Sequence, residues 1–231
     1  MAFSSTMAFA TNAAGQVVAA CDLPSVGPAV FHCSGCGGEV TLCRPAGSPA
    51  CFRHTRPTHC ELGALRALHA AALQLLVESR FVEARPLTQN GNGQGKRRLI
   101  EQWGEVSVRT RIEGVPVDLY AETLAGPLII QVAVRSLYDP TTRLGIKALG
   151  YAALEISISG PDAITTIGEL REVVLRRLTN KIWLAHPAIS NHAPRAQRGA
   201  PPRGNGAFWR GRKARCEALD ASGRRAVGSS R

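Results

Sequence analysis

Five of the chain's seven cysteines, Cys33, Cys36, Cys43, Cys51 and Cys60, fall within 28 residues. That crowding constrains the fold more than any other feature. A piece of roughly 30 residues with so few large apolar side chains needs a staple to fold. A disulfide framework is not expected, because the cysteine count is odd and no export signal is read. A metal site is. Phe31 and His32 lead into Cys33, Ser34, Gly35, Cys36 and two glycines, the knuckle turn that aims two thiolates at one ion. Zinc completes its tetrahedron with two more soft or borderline ligands. These must come from Cys51, His54, His59 and Cys60. The reading adopted is His54 and Cys60, giving a Cys3His set, with Cys51 or His59 as substitutes.

At 231 residues and 24.6 kDa the chain has room for one medium domain or two small ones. Its formal charge of +11 draws it to polyanions, nucleic acid first. That charge is uneven: residues 191–231 hold ten Lys and Arg against two acids, a net of +8. This tail is rich in Gly, Pro, Ala and Ser and is expected to be disordered. Arg210, Arg212, Lys213 and Arg215 make it a candidate nucleic-acid arm, with Phe208 and Trp209 available for stacking on bases. No apolar stretch nears the roughly 20 residues a membrane-spanning helix needs. A cytoplasmic location is expected.

After the cysteines, Leu62, Leu65, Leu68, Ala72 and Leu76 recur at helical spacing, so residues 61–79 read as an amphipathic helix. Residues 90–98 have the wrong glycine spacing for a phosphate loop. They read as an exposed basic loop in which Lys96, Arg97 and Arg98 face nucleic acid. Three strand-like runs follow: Val106 to Ile112, Val115 to Tyr120 (closed by a turn at Ala125, Gly126 and Pro127), and the apolar Leu128 to Val134. Thr141 to Ala152 reads as a short helix, Leu154 to Ser159 as a strand and Ala163 to Leu184 as a long helix. The order from residue 61 through the fourth strand is αβββαβ. The expected class is α/β (α+β), with strands and a zinc knuckle in 1–60, the αβββαβ unit and final helix in 61–184 and a basic tail in 185–231.

Asp118 points away from Val117 and Leu119 on a strand beside the one bearing Gln131. An Asp on one strand and an acid-x-lysine on the next is how many nucleases hold a divalent ion over a phosphate. Here residues 8 to about 184 resemble the competence protein CoiA family. Ala8 to Asp22 is similar to that family's opening strand pair. Cys33 and Cys36, with Phe52, Arg53, His54 and Cys60, resemble its zinc knuckle. Residues 61–159 resemble its PD-(D/E)XK nuclease-like domain, a restriction-endonuclease-like core. The resemblance implies a structural Zn2+, a DNA partner, no organic cofactor, and a site at Asp118, Gln131 and Arg135 that takes Mg2+ or Mn2+. The family pattern has Glu-x-Lys where this chain has Gln131 and Ala133, and Arg66 stands where a helix acid often helps. The expected phosphodiesterase site is therefore degenerate. Among the neighbours, Lys147 could substitute for the lysine, Glu122 lies about 13 Å along the strand from Asp118, and His69 reads as a core residue.

Overall fold

A computed structural model describes residues 6–24, 30–56, 60–86, 98–100, 103–134, 139–160 and 163–186. It is a mixed α/β structure with two five-stranded sheets, a small two-stranded one and few helices. The first sheet holds β1 (Phe9–Asn12), β2 (Val17–Ala19), β3 (Phe31–His32), β4 (Glu39–Cys43) and β5 (Cys51–His54), in the order β2-β1-β3-β4-β5. Helix α1 (Gly63–Ser79) follows, then the two-stranded sheet of β6 (Val82–Ala84) and β7 (Arg98–Ile100).

The second sheet contains β8 (Val106–Ile112), β9 (Val115–Thr123), β10 (Gly126–Val134), β11 (Ala152–Ile158) and β12 (Lys181–Ala185), in the order β12-β11-β10-β9-β8. Neighbours run antiparallel except β10 and β11, which are parallel and joined through α2 (Pro140–Leu149). A parallel pair needs such a crossover. Asp139 caps α2 by accepting from Thr141 N, Pro140 occupies its first turn, and Gly150 ends it at a φ of 75°. That positive φ suits glycine.

Several elements differ from the sequence reading. The β9–β10 turn sits at Leu124 and Ala125, because Thr123 pairs with Gly126 and Leu124 is left 94% exposed. Arg98 opens strand β7 instead of closing a loop, while Lys96 and Arg97 lie outside the described residues. The long final helix is absent. Thr166 sets its start with a capping box to Glu169, so α3 spans Ile167–Arg171 and continues as a π turn over Glu172–Arg176. The chain then turns back as β12 on the sheet edge. Ile182 and Trp183, read as helical, suit an edge strand better, and Trp183 Nε1 donates to Arg85 O at 2.8 Å.

The main core lies between α1 and one face of the second sheet, through Leu68, Ala72 and Leu76 against Leu119, Ile130, Val132, Leu154 and Ile156. Phe9, Val17 and Ala19 of the first sheet belong to the same cluster, which thus crosses the expected boundary at 60 and 61. On the opposite face, α2 covers Tyr120, Ile129 and Ala153 with Ile146 and Leu149. No helix among the described residues is long and apolar enough to cross a membrane.

Candidate functional site

Two neighbouring constellations emerge, a Cys/His tetrad and a cleft. The tetrad begins in the turn after β3. Cys33 N donates to Gly38 O and Gly37 N to Cys33 O, both at 2.8 Å, and Gly37 takes a φ of 73°. This tight loop also turns two N–H groups onto sulfur: Gly35 N donates to Cys33 Sγ at 3.3 Å and Gly38 N to Cys36 Sγ at 3.4 Å. His54 comes from the end of β5, and Cys60 from the approach to α1.

The four ligand atoms all lie within 4.8 Å of one another. Cys33 Sγ and Cys60 Sγ are 3.6 Å apart, and Cys36 Sγ lies 3.3 Å from His54 Nε2. Tetrahedral bonds of about 2.0–2.3 Å place their donors about 3.3–3.8 Å apart, the range in which these two separations fall. These four residues could hold a metal ion. Burial and the neighbouring thiols Cys33 and Cys36 push the Cys60 thiol up to about 12. Partial burial opposes ionisation of Cys36, but hydrogen bonds from Gly38, Cys60 and Cys33 outweigh it and lower its value. Crowded thiols that resist collective ionisation are what a cation relieves. Cys51 lies three residues before His54 on β5 and does not join them; His59 lies outside the described residues.

The tetrad abuts α1. A Cβ on Gly63 would sit 2.8 Å from Cys60 Sγ and 3.0 Å from Cys33 Sγ. One and two turns further along that helix, Arg66 and His69 enter a cleft of about 570 Å³. Ser34, Arg109, Arg111, Asp118, Gln131, Arg143 and Glu155 also line it.

Asp118 sits where β9 and β10 part. Their paired register reaches Leu119 and Ile130. Beyond it, side chains replace the ladder: Asp118 N donates to Gln131 Oε1 at 3.3 Å, and Val132 N donates to Asp118 Oδ2 at 2.8 Å. The other oxygen, Oδ1, lies 3.1 Å from His69 Nε2. On the next strand Gln131 is beside Glu155, so Asp118, Gln131 and Glu155 form a row across three strands. Glu155 is only 4% exposed; burial raises its carboxyl, against the pull of Arg143 and Lys147. Arg143 Nε stands 3.6 Å from Glu155 Oε2.

The structure places Asp118 and Gln131 side by side, and Arg135 lies outside the described residues. The basic residues of the tail also lie outside them. Glu122 accepts from Tyr120 Oη at 2.6 Å and does not line the cleft. His69 is corrected from core residue to partner of Asp118. Its signal was available: Arg66 and His69 are three apart and share a helix face. Glu155 was missed, although the alternation of Leu154, Ile156 and Ile158 turns residue 155 to the other face. For Mg2+ the cleft is a poor host. Among the described residues no group of three metal-binding side chains forms there, the Gln131 oxygen accepts a backbone N–H, and four arginines share the cleft lining with the acids.

Compared with models of protein families, with curated proteins and with solved structures, the chain matches none.

Proposed function

We propose that the chain is a CoiA-like, nuclease-fold protein that acts on DNA and whose metal-dependent phosphodiesterase site is degenerate. The observation that carries this reading is the cleft, where Asp118 at a strand fork shares the lining with Arg66, Arg109, Arg111 and Arg143. Arginine forks match phosphate oxygens. The same cations repel a second cation, so the cleft favours gripping the DNA backbone over cutting it. The Cys3His donor set supports Zn2+ as the structural ion of the tetrad. Residues 191–231, with their net charge of +8, would add a nonspecific arm.

The test is DNA binding over a salt series with the full chain and with a chain ending at residue 190. Binding should weaken steeply with salt, and the truncated chain should show lower affinity and a flatter slope. No binding at low salt would overturn the reading. A second reading, hydrolysis, is favoured by the Asp118, Gln131 and Glu155 row. It requires cutting in Mg2+ or Mn2+ that Asp118→Ala abolishes.

A further inference from the structure

Among the described residues three cysteines remain once the tetrad is set apart: Cys21, Cys43 and Cys51, none of them in a disulfide. They gather at one end of the first sheet. Cys43 and Cys51 are directly opposed partners on β4 and β5. Cys21 Sγ donates to Ala50 O, one residue before Cys51, at 3.7 Å.

The hydrogen-bond pattern fixes the kind of pair. Phe52 uses both its N–H and its C=O on Met7, at 2.7 and 3.0 Å, so it is not bonded to its opposite number Leu42. Pairs alternate along an antiparallel ladder, which makes the adjacent Cys43 and Cys51 a hydrogen-bonded pair. Thr55 N, which donates to Glu39 O at 3.2 Å, keeps the same alternation four positions away. Such a pair has Cα atoms about 5.5 Å apart, inside the roughly 4.4–6.8 Å that a disulfide spans. Both side chains leave the same face of the hairpin and both are half-buried, so a small oxidant can reach them. That face is the one opposite Phe52, which is fully buried.

We propose that Cys43 and Cys51 form a reversible disulfide when a small-molecule disulfide such as oxidised glutathione is present, a redox site separate from the metal tetrad. Cys43, whose Sγ makes an exposed contact with Thr41 O, makes the first attack, and burial disfavours ionisation of Cys51. Its thiolate displaces one glutathione thiolate and becomes a mixed disulfide. Cys51 then gives up its proton and attacks the Cys43 sulfur, releasing the second glutathione. Two protein thiols are oxidised and one glutathione disulfide is reduced to two thiols. The product closes the 44–50 loop of the β4–β5 hairpin and leaves Cys33, Cys36, His54 and Cys60 available for an ion.

The experiment uses the full, metal-loaded chain treated with oxidised glutathione, followed by peptide mapping and metal analysis. Expected is a Cys43–Cys51 linked peptide, reversed by reduced thiol, with metal content unchanged. Cys43→Ser should remove this disulfide. Cys51→Ser should stop at glutathione on Cys43, and Cys21→Ser should behave as the wild type. Since neither hairpin cysteine is a tetrad ligand, retained metal in both variants shows that they fold. A map without the Cys43–Cys51 link, a link from Cys21 in its place, or metal lost in step with oxidation would overturn the proposal.

Discussion

His69 on α1 holds Asp118 on β9, with Nε2 3.1 Å from Oδ1, while the other carboxylate oxygen takes the Val132 N–H at 2.8 Å. One side chain therefore closes a gap in the sheet and ties the sheet to the helix. Asp118→Ala leaves Val132 N–H without its acceptor, a loss of about 1–3 kcal/mol. Asp118→Asn keeps an oxygen for that donor and should lose less. His69→Ala, which removes only a partly exposed partner, should cost under about 1 kcal/mol. Urea unfolding midpoints should rank the three variants in that order.

Gly63→Ala would stabilise an ordinary helix, since glycine costs about 1 kcal/mol against alanine. Here the added methyl meets two tetrad sulfurs at 2.8 and 3.0 Å and Met7 Sδ at 3.2 Å. Expected is a less stable protein that retains less metal. Metal analysis after dialysis against a chelator checks this directly. A Gly63→Ala protein with full metal content would contradict the packing.

Glu155 and Arg143 should respond unequally, because the carboxylate side chain is 5% exposed and the guanidinium 34%. Arg143→Met strands a buried charge and should cost about 3–5 kcal/mol near neutral pH. Glu155→Gln leaves a cation that can still reach water, and should be close to neutral. The pH dependence has a definite sign. Burial raises the Glu155 carboxyl above 4.5 in the fold, so the folded chain binds its proton more tightly than the unfolded chain does. Stability from this group is full below pH 4.5 and falls as pH rises through the raised value. Removing Arg143 should steepen that fall.

Lys181 gives an alkaline counterpart. Burial lowers its amine to about 8 from 10.5, although Glu83 and Glu172 pull the other way. Between those values the unfolded chain binds more protons, so this group's contribution to stability rises with pH from about 8 to 10.5. Subtracting a Lys181→Met stability profile from that of the wild type should isolate the rise.

The tetrad was legible because its chemistry is local: a knuckle turn, two glycines and a handful of candidate ligands within 28 residues. The sequence reading prefers His54 to its substitute Cys51, and the tetrad contains His54. Strands β8 to β11 were legible from alternation and turn residues, and Asp118 from its place on one of them. The final helix was misread because Val173, Val174, Leu175 and Leu178 continue a helical spacing into Ile182 and Trp183. Only the edge of β11, invisible in a one-dimensional pattern, recruits those last residues as a strand. Glu155 faces Gln131 for the same kind of reason, since parallel pairing across a helical crossover joins residues 24 positions apart.

Helix α1 begins against the tetrad at Gly63 and carries Arg66 and His69 into the cleft. At about 1.5 Å per residue, His69 stands only about 9 Å from that anchored end. The helix is thus a short rigid lever with its fulcrum at the tetrad. Were an ion held there, stripping it would let the lever swing, and the first casualty would be the His69 hold on Asp118, with no residue of the cleft itself altered.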